Sequence, residues 1–136
     1  MDNLFHQLPN LTWLNISDNR IEVFDYAMVP RNLLWLDIHK NRIQSLENYF
    51  GIDDGTTLQH IDAGFNQISN IGPLNVPKTV EILLLNDNEI TQLASFTFSE
   101  KTRLKKVEFI CLCLCLQWYP ETLSPLLREI ATTIPR

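Results

Sequence analysis

Four segments of the chain share one uncommon spacing. They are LTWLNISDNRI (11–21), LLWLDIHKNRI (33–43), LQHIDAGFNQI (58–68) and VEILLLNDNEI (80–90). Each places apolar residues in a fixed order around a single asparagine: Leu11, Leu14, Ile16, Asn19 and Ile21 in the first, then Leu33, Leu36, Ile38, Asn41 and Ile43. The third carries Leu58, Ile61, Ala63, Asn66 and Ile68, and the fourth Val80, Leu83, Leu85, Asn88 and Ile90. The asparagines are 22, 25 and 22 residues apart. This spacing fits neither an amphipathic helix nor a simple alternating strand.

A period of about 20–29 residues with L-x-x-L-x-L-x-x-N-x-L is the signature of a leucine-rich repeat. In Leu14-Asn15-Ile16 the side chains alternate, so both apolar residues point to one face, as in a strand. The chain then turns, and Asn19 falls in the turn. A carboxamide both donates and accepts, so Asn19, Asn41, Asn66 and Asn88 are expected to form a structural ladder that satisfies backbone groups left unpaired by the turns. One coil is too small to bury its own leucines, so its neighbours must cover them. The fold class expected is therefore α/β, a leucine-rich-repeat solenoid or horseshoe. Short parallel strands line its concave face, and an irregular or short-helical return forms the convex side. Phe24 with Met28, Leu46 with Phe50, Ile71 with Val76, and Leu93 with Phe98 supply the convex apolar residues. Pro30, Pro73 and Pro77 suit irregular turns. The longer step contains the turn-rich GIDDGTT (51–57), and LFHQL (4–8) reads as the end of a preceding repeat.

Composition narrows the function. The 136 residues make one domain or a piece of one, and 45% hydrophobic residues supply a continuous core. A net charge of −5 without a basic run argues against nucleic acid and anionic membranes as partners. The first residues, MDNLFHQL, have neither the basic nor the apolar region of a signal peptide. The longest apolar run, FICLCLCL (109–116), is far shorter than the roughly 20 residues that a membrane-spanning helix needs. Cys111, Cys113 and Cys115 alternate. If extended, they would lie about 6.6 Å apart with parallel side chains, which suits unpaired thiols rather than disulfides or a zinc site.

Solenoids bind through the exposed positions of their strands. Those candidates are Trp13, Asn15, Trp35, Asp37, His39, His60, Asp62, Phe65, Ile82 and Leu84. Trp13, Trp35, His60 and Ile82 form one column, and Asn15, Asp37, Asp62 and Leu84 the next. An aromatic and apolar column beside a polar one fits protein recognition, in which Trp is a frequent anchor. Cross-strand aromatics that only stabilise the sheet are the competing reading. Asn10-Leu11-Thr12 and Asn15-Ile16-Ser17 are glycosylation sequons at Asn10 and Asn15. A glycan on Asn15 would block the concave column. Asp37, His39, His60 and Asp62 fall near one another, but a base with an orienting carboxylate makes no active site without a nucleophile or metal in a pocket. No enzyme, cofactor or metal is therefore expected.

LPNLTWLNISDNRIEVFDYAMVP, LLWLDIHKNRI, NYFGI and PKTVEILLLNDNEITQL resemble the extracellular leucine-rich repeats of insect Toll-family receptors over residues 4–109. WLNISDN, VFDYA and LNDNEI are the more specific strings. The resemblance implies a single-pass cell-surface receptor with a many-repeat ectodomain and a cytoplasmic signalling domain, active in innate immunity or development. This chain would be a fragment of the ectodomain, on the extracellular side of the membrane, with no membrane contact of its own. By analogy its partner is a protein ligand, such as a cystine-knot cytokine, or another receptor chain. The alternative is an intracellular leucine-rich-repeat scaffold or regulatory subunit.

Residues 1–110 are assigned to the repeats and 111–136 to a divergent tail. LKKVEF (104–109) begins a fifth repeat through Leu104, Val107 and Phe109, but its asparagine position holds Leu112. The tail reads as non-homologous sequence, as a degenerate cap built on Cys113, Cys115 and Trp118, or as an unusual last coil. In the last case Ser124-Pro125 would start a short helix.

Overall fold

The computed structural model describes residues 7–48, 55–93 and 103–108. Residues 109–136, with the three cysteines and the divergent tail, lie outside the described residues, as do Phe50 and Phe98.

Strand formation follows the repeated L-x-L. Strands β1 (Trp13–Asn15), β3 (Trp35–Asp37), β5 (His60–Asp62), β7 (Ile82–Leu84) and β9 (Lys106–Glu108) form one parallel sheet in the order β1-β3-β5-β7-β9. Between them run four short convex strands: β2 (Phe24–Asp25), β4 (Leu46–Glu47), β6 (Asn70–Ile71) and β8 (Gln92–Leu93). Register is strict. Leu14 faces Leu36, Leu36 faces Ile61, Ile61 faces Leu83, and Leu83 faces Val107. Each strand is only three residues long, so a parallel partner arrives only after the chain has completed a full coil. This is the leucine-rich-repeat solenoid, with fifth-repeat pairing carried as far as Glu108.

The core is a set of apolar columns along the coil axis. Leu33, Leu36, Ile38 and Ile43 of the second coil are fully buried, as are Leu58, Ile61, Ala63 and Ile68 of the third and Val80, Leu83 and Ile90 of the fourth. Leu11, Leu14, Ile16 and Ile21 of the first coil are only partly buried. Among the described residues nothing stacks on their outer side, which is how a one-dimensional array distributes burial.

The convex side is more ordered than an irregular return. β2 pairs in parallel with β4, and β6 with β8, giving two two-stranded sheets. Within the return segments lie 3₁₀ turns at Tyr26–Met28 and Pro73–Asn75. Asp25 opens the first, its Oδ1 accepting the Ala27 amide at 2.9 Å. Phe24, Leu46, Ile71 and Val76 are buried, and Met28 is half-buried. Tyr26 is buried edge-on against Phe24, and its hydroxyl donates to the Asn75 carbonyl at 2.6 Å. That bond joins the first coil's return segment to the third coil's.

The four turns close in the same way. The residue before each ladder asparagine has a left-handed backbone: Asp18 (φ 57°), Lys40 (φ 53°), Phe65 (φ 54°) and Asp87 (φ 57°). Asn41 Nδ2 donates to Ile16 O, Ile38 O and His39 O at 3.0–3.3 Å, and its Oδ1 accepts the Ile21 amide at 3.1 Å. Asn66 repeats the pattern on Ile38, Ala63, Gly64 and the Ile43 amide. Asn88 repeats it on Ala63, Leu85, Asn86 and the Ile68 amide. Asn19 is exposed and among the described residues bonds within its own coil, to Ile16 O and Ser17 O.

Candidate functional site

The alternation that buries Leu36 and Ile38 forces Trp35, Asp37 and His39 onto the concave face. Register then assembles the columns. Trp13, Trp35, His60, Ile82 and Lys106 stand side by side, as do Asn15, Asp37, Asp62, Leu84 and Glu108. In the first column the rings stack. The Trp13 and Trp35 centroids are 5.0 Å apart at 11°, and those of Trp35 and His60 are 5.0 Å apart at 26°. Trp13 is 55% exposed, while Trp35 and His60 are half-buried. Burial lowers the His60 pKa below its ordinary value, opposed by the carboxylates of Asp62 and Asp37 and reinforced by Lys106. Its imidazole is thereby biased toward the neutral form, which stacks on an indole without a desolvated charge.

The second column is drawn into the turns. Asn15 Oδ1 accepts the Ser17 amide at 2.9 Å and the Ser17 hydroxyl at 2.6 Å. Asp37 Oδ1 accepts the His39 amide at 3.1 Å, and His39 Nδ1 lies 2.5 Å from the same oxygen. Asp62 Oδ1 accepts the Gly64 amide at 3.1 Å. Three successive coils thus use a strand-end side chain to hold the amide two residues on. Asp37 is buried, and its contact with His39 places an imidazole near two carboxylates that face each other across β3 and β5. One ligand atom each from Asp37, His39 and Asp62 lie within 4.8 Å of one another. That is cation-binding chemistry, but Asp37 Oδ1 and Asp62 Oδ1 already serve backbone amides. Gly64 is buried beside this cluster. A Cβ there would stand 2.9 Å from Asn86 Oδ1, so the position is closed to a side chain unless Asn86 shifts.

Ile82 and Leu84 are half-buried on the fourth coil and continue the columns with apolar surface. Phe65 stands apart from them. It lies in the left-handed turn after β5, 49% exposed, on the lip of a groove shared with Asp18, Arg20, Lys40 and Arg42. The sequon residues Asn10 and Asn15 are both exposed, Asn10 in the turn before β1 and Asn15 in β1 itself. The cationic groove is absent from the sequence reading. The signal available for it was the pair of positions flanking each ladder asparagine.

Stacked three-residue strands, buried L-x-L columns and an asparagine in each turn define a leucine-rich-repeat protein. The chain is similar to Toll-like receptor 7 of Drosophila melanogaster, with 40% identity over 108 residues. The resemblance to Toll-family receptors carried by the repeat strings is shown by this match, at the level of a repeat segment. The match takes in 79% of this chain and only 8% of that receptor. No family model and no solved structure matches the chain.

Proposed function

We propose that this chain is a protein-binding segment of a Toll-like cell-surface receptor ectodomain, and that its concave aromatic column contacts the partner. The observation that carries the proposal is the stacked Trp13–Trp35–His60 column, open on the concave face and topped by a largely exposed indole. Preformed aromatic surface loses little conformational freedom on binding, and Trp is enriched among binding anchors. The similarity to a Toll-like receptor supports the same reading. The partner class is a protein ligand, such as a cystine-knot cytokine, or a second receptor chain, met on the extracellular side of the membrane. Signalling would belong to the rest of such a receptor.

The test is Trp13→Ala/Trp35→Ala in the full-length receptor, with partner binding and thermal stability measured together. Loss of anchors of this kind is expected to weaken binding by about 2 kcal/mol or more while the receptor stays folded. Unchanged binding would mean that the column only packs the sheet and that the partner contacts another surface.

A further inference from the structure

We propose that the flank of the solenoid beside the asparagine ladder binds an acidic peptide segment of a partner protein, in a groove formed by Arg20, Lys40, Arg42 and Phe65. This surface is separate from the concave column, and the proposal does not depend on the function proposed for that column.

The repeat itself builds the groove. The residues just before the ladder asparagines form one column (Asp18, Lys40, Phe65, Asp87), and those just after form a second (Arg20, Arg42, Gln67, Glu89). Between them, over the first three coils, runs an open groove of about 730 Å³ whose lining includes Arg20, Lys40, Arg42, Phe65 and Asp18. Arg20, Lys40 and Arg42 are exposed, and none has an ion-pair partner among the described residues. The chain as a whole carries a net charge of −5, so this cationic patch stands against the overall charge. Arg20 and Arg42 occupy equivalent positions on successive coils, where like charges repel. A bound anion removes that repulsion.

Phe65 is the independent observation. A bulky residue at φ 54° sits in a backbone region that glycine or asparagine enters at far lower cost. Its ring is not drawn into the core in return, being 49% exposed. The left-handed turn belongs to all four coils; what is particular to the third is an aromatic side chain there, solvent-facing on the lip of a charged groove, where it contributes little to folding.

The chemistry selects the occupant. Guanidinium groups bind carboxylates through paired N–H donors. Successive coils separate Arg20 and Arg42 by roughly one inter-strand step of about 4.8 Å, within reach of neighbouring acidic side chains on one peptide. An apolar residue of the same peptide covers Phe65. Asp18, standing in the groove, opposes a uniform polyanion such as a sulfated glycan.

The experiment uses the whole chain and a fluorescein-labelled Glu-Glu-Leu-Glu-Glu peptide, followed by fluorescence anisotropy at low ionic strength. Saturable binding that weakens as salt is raised is expected. Arg20→Gln/Arg42→Gln should weaken it on the order of tenfold, and the charge reversal Arg20→Glu/Arg42→Glu should abolish it. Phe65→Asn is expected to weaken binding severalfold while raising the melting temperature, a combination that a purely structural residue would not give. Trp13→Ala/Trp35→Ala should leave peptide binding unchanged, which separates this site from the concave face. The proposal is overturned by any of three results: no saturation at millimolar peptide, equal binding by the charge-reversed chain, or tighter binding of a heparin oligosaccharide than of the peptide. Self-association that is lost in the charge-reversed chain would also overturn it, by assigning the groove to a second copy.

Discussion

At the scale of single residues, the asparagines show how one side chain can organise a turn and also join two coils. Asn41 is buried and makes four hydrogen bonds, two of them to backbone groups of the coil before it. Alanine there would leave the Ile21 amide without its partner and take one donor from each of the Ile16, Ile38 and His39 carbonyls. Asn19 carries the same residue type in the same slot but is exposed and, among the described residues, bonds within its own coil. Asn41→Ala is therefore expected to destabilise by about 1–3 kcal/mol, and Asn19→Ala by clearly less. Chemical denaturation of the two variants beside the parent measures the difference, and equal losses would refute it. These positions were legible in the sequence because one spacing survives in four copies. Phe65 was not. Strict alternation from Asp62 would turn it inward with Ala63, but the left-handed turn at that residue carries it onto the exposed flank. A side-chain period says nothing about where the backbone changes hand.

At the scale of elements, the concave strands announce themselves and the convex ones do not. Leu14, Ile16 and their counterparts repeat an L-x-L. Phe24–Asp25 and Leu46–Glu47 are two-residue strands, too short to show a period, and they exist because stacked coils bring them into parallel register. The bond from the Tyr26 hydroxyl to the Asn75 carbonyl is equally invisible in the sequence, since it joins residues 49 positions apart. The concave strands link each coil to the next, whereas this convex bond reaches across from the first coil to the third. Tyr26→Phe keeps the ring against Phe24 and removes the hydroxyl that makes this bond. The expected cost is about 1 kcal/mol, within the range for a hydrogen bond lost from a part-buried carbonyl, and thermal denaturation of the variant reads it. A variant as stable as the parent would show that the hydroxyl bond contributes nothing net.

At the scale of the whole molecule, stability follows position along the stack. Leu36, Ile61 and Leu83 are completely buried between neighbours on both sides, whereas Leu14 is only partly buried. In an array with nearest-neighbour coupling, opening is easiest where burial is least. Native-state hydrogen exchange should therefore find strong protection at the Ile38 and Ala63 amides, which bond to Asp62 O and Leu84 O, and weaker protection at the Ile16 amide, which bonds to Asp37 O. Uniform protection across the three would mean that the solenoid opens as a single unit. The direction of the asparagine bonds has a consequence of its own. The Ile21 amide is met by Asn41, the Ile43 amide by Asn66 and the Ile68 amide by Asn88, so this turn amide of each coil is satisfied by the asparagine of its successor. On a ribosome, which delivers the amino-terminal coil first, every newly emerged coil brings the acceptor that the one before it lacks. The solenoid can thus lengthen by one finished unit at a time, in the order in which it is made.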